Sequence, residues 1–198
     1  MTTNDKHKSD SFKNALTKLL NHEGGYANDP DDKGGETYRG ISRKNFPNWI
    51  GWNIIDYYKT TKHFEEHLTS DFNLQAHVED FYKTNFWNKM HCDFIPTEIA
   101  EELFELSVNT GLKRATSILQ TTLNILNRNE KAYNDILVDG RFGNITLVTL
   151  RTSLKHNSRR LIFNLINILQ GSFYTELMLN NPVYEKYIGW FNRIDIIK

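Results

Sequence analysis

A mainly α-helical chain with one small β element is what the sequence predicts, and three observations predict it. Apolar residues recur at spacings of three and four along most of the 198 residues. Helix breakers gather in a few places, above all between residues 26 and 41, where Pro30, Gly34, Gly35 and Gly40 interrupt any helix. Hydrophobic residues make up 39% and aromatics 13%, a composition that folds around a core. A chain of this length buries that core without help from disulfides or metal.

The elements follow in order. Residues 1–10 read as a polar tail, after which Asp10 or Ser11 caps a helix running to about Glu23. Phe12, Leu16, Leu19 and Leu20 form its apolar stripe. Glu23 stands eleven positions after Phe12, close to the same face at about 100° per residue. Gly24-Gly25 then ends the helix. Residues 26–41 read as an irregular loop or short β-hairpin. Ser42 is placed to cap a short helix before Pro47, with Trp49, Trp52, Ile54 and Ile55 as core. A helical pattern resumes from Ser70 to Trp87 through Leu74, Val78, Phe81 and Phe86. Pro96-Thr97 opens a helix that ends near Gly111, and another runs from Leu112 to Leu126. After a polar loop, the apolar run 136–138 ends in Asp139-Gly140. Thr146 starts the next helix, and Ser158 caps a long one with Leu161, Leu165, Leu169, Phe173 and Leu177 as its stripe. Asn181-Pro182 breaks it, and a last segment carries Tyr187, Trp190 and Ile194.

Charge excludes some functions. Lys+Arg and Asp+Glu are both 24, so the formal net charge is zero, which argues against a nucleic-acid binder that relies on bulk charge. The same neutrality argues against diffuse electrostatic adhesion to a cell wall. A single cysteine, Cys92, allows no internal disulfide, and without a glycine-rich nucleophile context it reads as a small buried residue. No apolar run reaches the roughly 18–20 residues of a membrane span. The N-terminus lacks a signal-peptide type of stretch, so synthesis in the cytoplasm without a signal peptide is expected. His63 and His67 stand four apart, a weak metal pair, and no metal or cofactor is expected.

The densest polar cluster runs from Glu23 to Thr37 and holds Asp29, Asp31, Asp32 and Glu36 around the glycines. A glycosidase needs an acid of raised pKa and a second carboxylate or its equivalent. A glutamate at the core side of a helix C-terminus suits the first role, because partial burial and the negative end of the helix dipole both raise its pKa. The plain alternative is a helix end followed by a solvated acidic turn.

The wording then becomes specific. Glu23-Gly24-Gly25-Tyr26-Ala27-Asn28-Asp29-Pro30 and Gly34-Gly35-Glu36-Thr37-Tyr38-Arg39-Gly40-Ile41-Ser42 resemble the opening signature of the glycoside hydrolase family 108 N-acetylmuramidases. Phe81-Tyr82 to Phe86-Trp87, Phe104 to Gly111 and Tyr187 to Ile194 resemble that family's downstream motifs, so the likeness spans about residues 12–194. Glu105, where the family often has aspartate, and Arg39, where it often has a bulky residue, are departures.

The resemblance implies a lysozyme-like helical fold with the small β element after the first helix. It implies a catalytic region over 11–111 and a peptidoglycan-binding-like helical region over 112–198. It implies hydrolysis of the β-1,4 bond between N-acetylmuramic acid and N-acetylglucosamine, with Glu23 as general acid and Asp32 and Thr37 handling the water. Tyr26, Asp29, Tyr38, Trp87 and Asn109 are implied substrate contacts. Phage-type lysozymes, a more distant likeness, also place eight residues between glutamate and aspartate, as between Glu23 and Asp32 here. Asp29 competes with Asp32 for that role. Asn109 reads equally as a helix-end residue beside Gly111, and Trp87 as core.

A second motif, Asp139-Gly140-Arg141-Phe142-Gly143-Asn144-Ile145-Thr146 after a helix with Ala115, Leu119 and Gln120, resembles small peptidoglycan-binding modules. It reads either as a glycan contact or as architecture, with both glycines as turn residues and Thr146 as a cap. The expected partner is the peptidoglycan glycan strand. A phage endolysin released through a holin and an effector injected into a rival's periplasm both fit, the latter with a secretion-system component and an immunity protein as partners. A lytic transglycosylase and a catalytically silent peptidoglycan-binding protein are the alternative readings.

Overall fold

The computed structural model describes residues 3–22, 24–28 and 35–196, with side chains from Asp10 onward in those ranges, His22 excepted. It is mainly α with one small antiparallel sheet, consistent with a lysozyme-like fold, and it forms two compact units, 1–85 and 86–198.

The first unit opens with α1 (Thr3–His22). It begins well before Asp10 and Ser11, because the stretch ahead of them holds neither glycine nor proline to stop it. Phe12, Ala15, Leu16 and Leu19 are its buried face. Three two-residue strands follow: β1 (Tyr26–Ala27), β2 (Thr37–Tyr38) and β3 (Ile41–Ser42), antiparallel in the order β1-β2-β3. Tyr26 pairs with Tyr38 and Ala27 with Thr37, while Thr37 pairs with Ser42 and Tyr38 with Ile41. Arg39 (φ 46°) and Gly40 (φ 79°) form the two-residue β2–β3 turn. Positive φ at both positions is the hairpin turn whose twist matches the strands. Arg39 is held there from both sides: its N–H donates to the Gly25 carbonyl (3.0 Å), and its carbonyl accepts from the Tyr82 hydroxyl (2.7 Å).

Ser42 does not cap a helix. It ends β3, and its carbonyl accepts from Phe46 N–H (2.9 Å), closing a single turn that Pro47 cannot extend. The helices α2 (Gly51–Tyr58), α3 (Phe64–Ser70) and α4 (Phe72–Tyr82) complete the unit. Asp71 caps α4, accepting from Leu74 N–H at 2.8 Å. Ile41, Trp52, Ile55, Leu68, Leu74 and Val78 fill the core of this unit.

A π-helical turn, Lys83–Trp87, and a 3-10 turn, Cys92–Phe94, lead through the start of the second unit. Then come α5 (Thr97–Thr110) and α6 (Leu112–Leu126), joined by Gly111 alone. The helices α7 (Asn144–His156) and α8 (Arg159–Asn180) follow, and the 3-10 segment Pro182–Arg193 ends the element order. α5 packs on α6 and α8, α6 on α7 and α8, and the 3-10 segment on α8. Ser158 caps α8 as expected, accepting from Leu161 N–H at 3.2 Å. The buried face of α8 is Ile162, Phe163, Ile166, Asn167, Gln170 and Tyr174 rather than the expected leucine stripe. Ile162, Ile166, Gln170 and Tyr174 each follow a member of the expected stripe by one position, about 100° round the helix, so the spacing gave the period but not the face.

Candidate functional site

The sheet sets the geometry around the opening motif. Successive residues of a strand face opposite sides, and directly paired residues share one. Tyr38 is 2% exposed and packs inward with Ile41, so Tyr26 shares its side and Thr37 with Ala27 faces the other. The sheet therefore does not bring Tyr26 and Thr37 to one surface. Glu23, Asp29 and Asp32 lie outside the described residues, as do Pro30, Asp31, Lys33 and Gly34. Gly25, two positions after Glu23, is tied by its carbonyl to the β2–β3 turn.

A cavity of about 180 Å³ opens on the Tyr26 side, lined by Gly25, Tyr26, Arg39, Glu65 and Thr69 among others. Tyr26 stacks edge-on against Phe64, with ring centroids 4.8 Å apart. Burial and the neighbouring Glu36 carboxylate push its hydroxyl above the usual tyrosine value, so it stays a hydrogen-bond donor. Hydroxyl, carboxylate and guanidinium groups around a small cavity can bind a sugar's hydroxyls.

Glu36, read from sequence as part of the acidic cluster, is an ion-pair hub. It meets Arg43 Nε at 2.8 Å and Lys59 Nζ at 2.6 Å, and Arg43 continues to Asp56 at 2.6 Å. The Arg43 guanidinium holds the Asp56 carboxyl below its ordinary value. This network ties the β2–β3 hairpin to α2 and leaves Glu36 no free oxygen for chemistry. Sequence reading did not find it, because Asp56 and Lys59 lie outside the motif and the pairing of Glu36 with Arg43 depends on the β2–β3 hairpin.

Two expected substrate contacts, Tyr38 and Trp87, are buried. Tyr38 donates its hydroxyl to the Leu68 carbonyl (2.9 Å) and accepts from Gln75 Nε2 (3.0 Å). Trp87 is 1% exposed, packs on Phe104 with centroids 5.5 Å apart, and donates its indole N–H to Asp93 at 2.8 Å. Trp87 is thereby committed to the core, while Tyr38, though buried, still borders the cavity beside Tyr26. Asn109, on the last turn of α5, is half-buried, and its Nδ2 is buried without a hydrogen-bond partner among the described residues. A buried orphan donor is uncommon and marks a place where a ligand or water is expected.

The 139–146 motif is a latch. Gln120 on α6 donates to Asp139 Oδ1 (2.9 Å) and to Thr146 Oγ1 (3.2 Å), and its Oε1 accepts from Gly140 N–H (2.9 Å). Gly140 sits at φ 72°, and a Cβ there would meet the Lys113 carbonyl at 2.8 Å, so both backbone and space demand glycine. Thr146 is not the helix cap: α7 begins at Asn144, and the threonine is buried one turn start later, facing Gln120. Gly143 has φ −107°, an ordinary extended value, and so is not required as a turn residue. Burial and the latch favour architecture for this motif. Cys92 is buried as expected.

Glu102 escaped the sequence reading. It lies on α5 three residues after Ile99 and four before Leu106, so helical spacing already placed it on the buried face. It is 9% exposed. Burial pushes its carboxyl to about 8, with Glu105 and Asp195 adding to the rise and Asn167 hydrogen-bonding to it. Among the described residues no three His, Cys, Asp or Glu side chains group as a metal site, and no helix is long and apolar enough to cross a membrane.

Comparison with known proteins gives two adjoining matches. Residues 16–111 match the family described as Glycosyl hydrolase 108, and residues 114–195 the family described as Predicted Peptidoglycan domain. Among solved structures the chain is similar to Brucella abortus SagA, with 22% identity, 94% of this chain and 90% of that one covered, and a TM-score of 0.59. At that identity the likeness speaks for the fold. No curated protein matches the chain.

Proposed function

The chain belongs to the glycosyl hydrolase 108 family, a glycoside hydrolase of peptidoglycan with a peptidoglycan domain behind its hydrolase part, and from that premise we propose that it is an N-acetylmuramidase with Glu23 as general acid. The observation that carries the assignment of Glu23 is the phase of α1. Its buried face runs through Phe12, Leu16 and Leu19, and by sequence spacing alone position 23, four residues after Leu19, continues that phase. A carboxyl continuing that phase would meet apolar side chains at the negative end of a helix, two conditions that keep an acid protonated. Gly25, tied to the β2–β3 turn, keeps the chain after Glu23 against the sheet that carries Thr37.

Glu23 gives its proton to the leaving glycosidic oxygen while the bond to N-acetylmuramic acid breaks. Asp32 accepts a proton from a water on the opposite face of the sugar, and Thr37, turned away from the buried face of the sheet, helps hold that water. This inverting arrangement needs the two carboxyl groups about 6.5–9.5 Å apart. Tyr26, at the cavity beside Gly25, and Asn109, with its unpaired amide, contact the glycan strand. Asp29 has the same chemistry as Asp32, but its place before Pro30 suits a turn.

Two routes bring such an enzyme to the wall: release through a holin as a phage endolysin, or injection into a rival cell as an effector opposed by an immunity protein. A holin gene or a small periplasmic-protein gene next to this one separates them. Mass spectrometry of digested peptidoglycan tests the chemistry. Hydrolysis releases fragments ending in reducing muramic acid, whereas anhydromuramic ends would mean transglycosylation. Asp32→Asn and Asp29→Asn, compared in the same digest, decide between the two aspartates, with the larger loss expected for Asp32.

A further inference from the structure

We propose that a second cavity in the hydrolase unit, walled by Phe46, Trp49 and Phe81 and rimmed by Asn45, Asn48 and Asn85, binds one N-acetylated pyranose ring of the cell-wall strand. The inference rests on peptidoglycan being the substrate, and it adds a sugar-holding site to the proposed chemistry.

The cavity measures about 320 Å³. That is at the small end of the roughly 300–1,000 Å³ that ligand pockets occupy, room for a single ring. No charged side chain lines it, so a phosphate, a nucleotide or a stem-peptide carboxylate would find no counter-ion. Three amides and three aromatic rings suit a neutral ligand with hydroxyl and acetamido groups on its edges and C–H bonds on its faces. An amide both donates and accepts, as those substituents require.

The walls are held in place before any ligand arrives. Phe46 meets Phe81 edge-on at 4.7 Å, and Trp49 meets Trp52 edge-on at 5.1 Å. The Trp49 indole N–H donates to the His77 carbonyl at 3.3 Å. Its ring lies over Gly51, where any Cβ would overlap the indole carbons, so the first residue of α2 is a glycine for lack of space. Asn85 donates Nδ2 to the Phe81 carbonyl at 2.9 Å, which aims its Oδ1 as a fixed acceptor. Asn45 and Asn48 are exposed, and their side-chain amides have no partner among the described residues.

Placement suits a strand-holding role. Tyr38 borders the first cavity and Trp49 the second, and their rings stack at 6.5 Å with an interplanar angle of 20°. Zero net charge gives the chain no general attraction to an anionic wall, so local contacts with the sugar backbone matter for holding it.

The test is an NMR titration of the full chain with N-acetylglucosamine, following the Trp49 indole N–H signal assigned through Trp49→Phe. The monosaccharide has no glycosidic bond, so binding is read independently of turnover. The expected result is a saturable shift of Trp49 in the millimolar range, absent with glucose. Asn45→Ala combined with Asn48→Ala should weaken it about fivefold or more, as the loss of two neutral hydrogen bonds implies, with melting temperature unchanged. A Trp49 signal that stays still up to about 100 mM sugar would overturn the proposal. So would equal shifts with glucose, or unchanged affinity in the double variant. A positive titration with an active Glu23→Gln enzyme would keep this site and remove the proposed chemistry, so the two failures are distinguishable.

Discussion

Glu102→Gln should make the protein more stable at alkaline pH and remove part of its pH dependence. Glu102 sits on α5 against Asn167 of α8, faced by the carboxylates of Glu105 and Asp195, and its carboxyl is carried from the ordinary 4.5 to about 8. Asn167 in turn accepts from Asp195 N–H at 2.7 Å, so the acid is linked to the C-terminal segment. The folded form holds the proton more tightly than the unfolded one. The stability from this group is therefore complete below pH 4.5 and is lost as pH rises through about 8. Each pH interval in that window costs about 1.4 kcal/mol, which sets a ceiling of about 5 kcal/mol by pH 9. Glutamine has the shape of the protonated acid and keeps a hydrogen bond to Asn167 without a charge to bury. Urea unfolding of both proteins at pH 5, 6.5 and 8 is the assay. Wild type should lose stability relative to Glu102→Gln as pH rises, by about 2–4 kcal/mol between the extremes. Parallel curves for the two proteins would refute the reasoning.

Other outcomes follow from the same geometry. Gly140→Ala should lower stability by about 1–3 kcal/mol in chemical unfolding, because it adds a Cβ against the Lys113 carbonyl at a left-handed backbone; a change within about 0.5 kcal/mol would show the latch to be soft. Thr146→Ala should cost about 1–2 kcal/mol by taking a hydrogen-bond partner from Gln120. Arg141→Ala should leave sedimentation with cell walls unchanged if the motif is architectural, and weakened sedimentation at constant melting temperature would make it a glycan contact. Trp87→Phe should lower the melting temperature through loss of the Asp93 hydrogen bond, with KM kept within about twofold; a large rise in KM would return Trp87 to the cleft.

The legible parts of the sequence were those with punctuation. Gly111 and the polar residues after Leu126 mark α6 at both ends, Ser158 marks α8, and the glycine-rich stretch marks the sheet. Helix faces were harder. Leucines every four residues look like a stripe along α8, but the core takes Ile162, Ile166 and Tyr174, one position further on and about 100° round the helix. Within the opening motif, residue type gave the chemistry but not the side of the strand. Thr37 and Tyr38 are neighbours in sequence and face opposite ways, and Tyr38 is committed to Leu68 and Gln75. Glu36 looked available until Arg43 and Lys59, brought in by β3 and α2, claimed it. Such long-range pairings leave no local trace. Glu102 did leave one, a carboxylate on the buried spacing of α5, and the fold carries its pKa to about 8.

The most direct test of the account is turnover by Glu23→Gln. Clearing of a cell-wall suspension is measured beside wild type, with circular dichroism showing that both are equally helical. Loss of the general acid should slow lysis by about 100-fold or more while the helical signal stays the same. Lysis within about threefold of wild type by a folded Glu23→Gln protein would contradict the assignment, and the proton would have to come from another group.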